Sequence, residues 1–162
     1  GFCVWANDTN AANFDLVVTP LQAGLWEGDV SANWNTAGNW NDNHVPTAAV
    51  DVAIPPGTPF SPAITNAAAY CRTLTVEPGA RLTLYATNLF VGRDLIVFGE
   101  LNMSHTFARL YVTNDVSWEA GSTANLIGSA RMLIQGDWEF QEDANVQLNI
   151  GYTEFIGTGA SS

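Results

Sequence analysis

Leu89-Phe90-Val91-Gly92-Arg93-Asp94-Leu95 is followed by Leu110-Tyr111-Val112-Thr113-Asn114-Asp115-Val116, and then by Met132-Leu133-Ile134-Gln135-Gly136-Asp137-Trp138. The offsets are 21 and 22 residues, and a fourth pass opens with Glu154-Phe155-Ile156, again 22 further on. Upstream, Arg72-Thr73-Leu74-Thr75-Val76 aligns with Arg93-Asp94-Leu95-Ile96-Val97 at an offset of 21. Short alternating apolar stretches and turns that recur at such a period are the mark of stacked rungs.

Within one repeat, Leu89 and Val91 alternate with other residues, Gly92-Arg93-Asp94 turns the chain, and Leu95 and Val97 alternate again. Gly99 makes the next turn before Leu101 and Met103. That is about three short strands per coil, each with one buried face. No window carries a helical period. The expected fold is all-β: a short parallel β-helix (β-solenoid) of about four to five coils, right-handed. Two interior columns are expected, one of Val91, Val112, Ile134 and Ile156, the other of Leu74, Leu95, Val116 and Trp138. An antiparallel β-sandwich also has short strands at regular spacing. The recurrence of turn residues as well as strand residues favours the solenoid.

The 162 residues allow one domain with a small appendage. The net charge is −11, there is no lysine, and all five arginines fall inside the repeats. Nucleic acid is a poor partner for such a chain, because its phosphates need clustered Lys/Arg. Anionic lipid is disfavoured for the same reason, and no run reaches transmembrane length. The acidity suits an extracellular or cell-surface protein. Gly1 in place of an initiating Met fits a processed or excised chain. In a secreted chain Cys3 and Cys71 read as one disulfide, tying the N-terminal segment to the first coil or joining two subunits. In a reducing compartment both are buried thiols.

Residues 1–24 form an N-terminal arm. Asn13-Phe14-Asp15-Leu16-Val17-Val18-Thr19-Pro20 is a strand with Phe14, Leu16 and Val18 on one face. Such a strand can pair with its own solenoid, cap the first coil, or add to a neighbouring molecule. Residues 25–162 form the solenoid module: a cap and excursion loop over 25–66, then repeats over 67–162. The cap is dense in Trp, Asn and Gly. Trp26, Trp34 and Trp40 either seal the open end of the solenoid or, if exposed, stack on sugar rings as candidate glycan contacts. Pro55, Pro56, Pro59 and Pro62 mark a loop that no central strand could contain.

Trp26-x-Gly28-x-x-Ser31-x-x-Trp34-Asn35, Gly38-Asn39-Trp40, Val45-Pro46 and Asp51-Val52-x-Ile54-Pro55 fall in an order that resembles the opening of a β-helical module. That module recurs in large secreted and surface proteins of Bacteroidetes, many of them exported by the type IX system. Cys71-Arg72-Thr73-Leu74-Thr75-Val76-Glu77-Pro78-Gly79-Ala80-Arg81-Leu82-Thr83-Leu84 resembles its first coil. The resemblance covers roughly 26–160 and leaves the first 24 residues out. It implies a fibre, an adhesin or an enzyme-bearing giant.

Asp94, Asp115 and Asp137 stack in one column of turns, where Ca²⁺ could neutralise them or each could cap a turn. No other cofactor is indicated. His44 and His105 have no repeated partner, no Gly-x-Ser-x-Gly elbow exists, and no Cys/His spacing suggests zinc. Glu139 and Glu142 could be posed as a glycosidase pair, but a solvated acidic face explains them. No basic cluster awaits an acidic sugar. The leading expectation is a non-enzymatic structural module that self-associates or joins neighbouring domains of a larger surface protein. Its assembly residues would be Phe14, Leu16, Val18, Phe155 and Ile156. Glycan binding through exposed tryptophans is the rival, and a β-helical polysaccharide enzyme the third reading.

Overall fold

The computed structural model of the chain describes residues 23–149 and 152–156. Fifteen strands among them wind into five coils of three strands each. The first coil is β1 (Val52–Ile54), β2 (Ala63–Ile64) and β3 (Ala69–Cys71). The second is β4 (Leu74–Val76), β5 (Arg81–Leu84) and β6 (Asn88–Val91). The third is β7 (Leu95–Val97), β8 (Glu100–Met103) and β9 (Arg109–Val112). The fourth is β10 (Val116–Trp118), β11 (Thr123–Ile127) and β12 (Arg131–Ile134). The fifth is β13 (Trp138–Phe140), β14 (Asn145–Asn149) and β15 (Tyr152–Phe155).

Every strand pairs in parallel with its equivalent one coil away, giving three five-stranded sheets. The first sheet is β1-β4-β7-β10-β13, the second β2-β5-β8-β11-β14, the third β3-β6-β9-β12-β15. The fold is therefore the parallel β-solenoid that the period implies, and the antiparallel sandwich is excluded.

The strands obey the two-residue alternation of a pleated sheet. Leu74 and Val76, Leu82 and Leu84, and Leu89 and Val91 point inward and are buried in the second coil. Their equivalents above stack on them in register. Val52, Leu74, Leu95, Val116 and Trp138 form one interior column, as expected from Leu74 onward. The corner before β8 needs a residue without a side chain, because successive coils lie only about 4.8 Å apart. A Cβ at Gly99 would collide with the carbonyl oxygens of Glu77 and Ala80.

Two expectations are corrected. The repeats begin before residue 67: β1 and β2 already belong to the first coil, and the proline-rich loop 55–62 lies between them. Proline lacks the ladder N–H, so the loop bulges out of the coil without ending it. The second correction concerns the last coil. Ile134 pairs with Phe155, not with Ile156. Three residues separate β11 from β12 but only two separate β14 from β15, so the offset drops from 22 to 21.

Candidate functional site

With its faces built from repeated strands, the solenoid differs most at its two ends. The N-terminal end is closed. Leu25 bridges Ala53 and Asn33 bridges Ala63, both in parallel, so the cap lies as a partial rung beneath the first and second sheets. Trp26, Trp34 and Trp40 are 0%, 0% and 1% exposed. Trp40 packs edge-on between the other two, 5.0 Å from Trp26 and 4.8 Å from Trp34. The Trp26 Nε1–H donates to the Phe60 carbonyl and that of Trp40 to the Trp34 carbonyl.

Asn39 holds this cap together from the end of a single 3-10 turn, Ala37–Asn39. Its Oδ1 accepts from the Val30 and Ser31 amides, and its Nδ2 donates to Ser31 Oγ and the Asn33 carbonyl. Its own carbonyl accepts from Glu27 and Gly28. The three tryptophans therefore seal the core. They offer no ring face to a sugar, which overturns them as glycan contacts.

At the other end, among the described residues, nothing lies over the fifth coil. Trp138, Phe140 and Phe155 occupy interior positions by register, above Val116, Trp118 and Ile134. Phe140 is nevertheless 52% exposed and Phe155 60%. With Thr153 they line an apolar cleft of about 340 Å³. Trp138 lies 5.2 Å from Phe140 and 6.0 Å from Phe155. Its Nε1 and the Thr153 Oγ1 are buried without a hydrogen-bond partner. Of the expected assembly residues, Phe155 is on this rim and Ile156 follows it, half-buried. Phe14, Leu16 and Val18 lie outside the described residues. Trp138 and Phe140 are the rim residues that sequence reasoning did not select as a site, although Trp138 stood in the expected core column.

The acidic column runs along the corner between the third and first sheets. Asp94 and Asp115 accept from the Asn114 Nδ2, and Asp115 Oδ1 also accepts from the Asp137 amide one coil on. Arg93 Nη2 stands 3.9 Å from Asp94. Asp115 thus caps the turn of the next coil. Among the described residues no group of three His, Cys, Asp or Glu is arranged to hold a metal ion, the three aspartates included. Glu139 accepts from its neighbour Gln141. The His44 amide donates to Asp42 Oδ1, and its Nδ1 meets the Asp42 carbonyl.

Cys71 is a free, buried thiol. Burial pushes its pKa up to about 12, with the nearby Asp51 charge adding to the effect. No disulfide with Cys3 is shown, and Cys3 lies outside the described residues. Asp51 is paired with Arg72, whose guanidinium holds the carboxyl below its ordinary range.

The register also assembles a row that residue spacing hid. Asn88, Arg109, Arg131 and Tyr152 stand opposite one another on the outer face of the third sheet. Beside them Tyr70, Phe90 and Tyr111 stack at 5.1 and 4.7 Å with rings 10° from parallel.

A family sequence profile described as a domain of unknown function, DUF8693, matches residues 25–133. The chain belongs to the DUF8693 family. No curated protein and no solved structure matches it. The span of the DUF8693 match starts at Leu25, the first bridging residue of the cap, and ends inside β12. It takes in the sealed end and the first coils, while the open fifth coil lies beyond it.

Proposed function

We propose that the protein is a non-enzymatic extracellular structural module, a subunit of a self-assembling surface filament or adhesin stalk. The asymmetry of its ends carries this reading. One end is closed by three buried tryptophans, while the other presents core positions to solvent. An exposed interior layer is a docking surface, and a contact between unlike surfaces of identical subunits propagates without closing.

The closed end limits how copies can join. Bare coil cannot stack on bare coil there, because the cap covers the first rung. The fifth coil then meets either the outside of a neighbour's cap or a strand donated by it. The alternation of Phe14, Leu16 and Val18 suits such a strand, which would add main-chain bonds to a free sheet edge and side chains to the apolar cleft. If the module lies within a larger surface protein, an adjoining domain takes the same place.

Electron microscopy of the purified chain, with and without residues 1–24, tests the proposal. Filaments or ordered oligomers that shorten or vanish on deletion are expected. Monomers in both cases would sink it.

A further inference from the structure

The outer face of the third sheet, with the corner that leads into it, is chemically unlike the rest of the chain. The segments 64–71, 84–91, 103–112 and 126–134 contain no Asp or Glu, in a chain with 16 of them. They supply the β3, β6, β9 and β12 strands and the turns before them. On the fifth coil Glu154 is the one carboxylate of β15.

The same segments carry exposed rings. Tyr85, His105 and Phe107 follow one another along the corner, with centroids 4.6 and 5.5 Å apart, and Phe107 is 68% exposed. Tyr85 meets His105 edge-on and His105 is tilted to Phe107, so no pair among these rings is stacked face to face. The Tyr70–Phe90–Tyr111 ladder differs, since its faces are spent on each other.

Two cations complete the surface. Arg72 and Arg81 are paired with Asp51 and Glu100 elsewhere, whereas Arg109 and Arg131 have no carboxylate partner among the described residues. Arg109 is fixed through Nη1, which donates to the carbonyls of Thr106, Ala108 and Ser129. Its Nη2 and Nε have no acceptor among the described residues. Arg131 lies one coil above, in register, with its guanidinium carbon 5.9 Å from the Tyr152 ring centre.

We propose that this face binds a linear acidic polysaccharide running along the solenoid axis. A planar guanidinium suits a uronate carboxylate bidentately, and exposed ring faces suit the C–H faces of pyranoses. A polymer matches a surface whose features recur at each coil, about 4.8 Å apart. A peptide strand is disfavoured, because β6, β9 and β12 are already paired on both sides. The net charge of the chain is −11. That net charge does not forbid a polyanion here, since charges beyond a Debye length of about 8 Å are screened. The Asp94–Asp115–Asp137 row borders the far edge of the sheet and would steer the anion toward Arg109 and Arg131.

The proposal is independent of assembly through the fifth coil. Affinity electrophoresis in gels containing polygalacturonate or neutral dextran tests it, together with titration at low and raised salt. The wild-type chain should be retarded by polygalacturonate, not by dextran, and less so as salt rises. Arg131→Gln and Phe107→Ala, both at exposed side chains, should each weaken binding about tenfold with unchanged circular dichroism. Arg81→Gln, on the second sheet, should bind as wild type. Absence of retardation, equal retardation by dextran, or unaltered binding by both variants would overturn the proposal. So would self-association that is lost in Arg131→Gln without any response to polygalacturonate, which would make the face a contact between copies.

Discussion

Phe155 pairs in register with Ile134, yet Ile134 is fully buried and Phe155 is 60% exposed. Both are inward positions of the same column. They differ only in what lies above: a fifth coil covers Ile134, and no described residue covers Phe155. A solenoid buries each rung by stacking the next, so a rung with no described residue above it keeps its inward positions exposed.

The N-terminal cap should be the most sensitive region to truncation. Trp40 touches both other cap tryptophans and fills the centre of the seal. Trp40→Ala should lose about 3–5 kcal/mol of stability, the usual cost of emptying an aromatic site in a core. Urea unfolding followed by circular dichroism checks this.

Asn39→Ala should cost about 2–4 kcal/mol despite removing few atoms. It strands the Val30 and Ser31 amides and the Asn33 carbonyl, which the asparagine satisfies together. An effect below 0.5 kcal/mol, a value typical of about any surface change, would show that the cap does not depend on this hub.

The indoles should be shielded. In a Trp5→Phe, Trp138→Phe variant the remaining Trp26, Trp34, Trp40 and Trp118 are all buried. Their fluorescence should be blue-shifted and nearly insensitive to iodide. Ready quenching would restore the tryptophans as ligand contacts.

Cys71 should be silent toward thiol reagents in the native chain at pH 8, and reactive once unfolded. Its raised pKa also sets a pH dependence. In the unfolded chain the thiol ionises near its ordinary 9.0, but in the fold it holds its proton to about 12. Its contribution is complete below pH 9 and is lost as pH rises toward 12, on the order of 4 kcal/mol in all. Cys71→Ser should flatten that alkaline slope, as measured by urea titrations at stepped pH.

Much of the fold was legible because a solenoid writes its geometry into a period. Leu74, Leu95, Val116 and Trp138 could be stacked on paper because their turns recur with them. The period failed where a turn changed length. Ile156 looked like the next residue of its column by apolar character, but a turn shorter by one residue put Phe155 there. The first coil was obscured by the proline loop that interrupts it. The cap tryptophans carried two meanings, and only their packing with Asn39 decided between them. The Arg109–Arg131 row was invisible as a cluster, because residues 22 apart become neighbours only when coils are in register.

Light scattering across a wide concentration range, on the wild-type chain and on a Phe140→Arg, Phe155→Arg variant, tests the central claim most directly. Both side chains are exposed on the fifth coil, so the charges enter the rim without emptying the core. The wild-type mass should grow with concentration and the variant should remain monomeric with unchanged circular dichroism. A wild-type chain that stays monomeric throughout, or a variant that associates equally well, would contradict assembly through the open end.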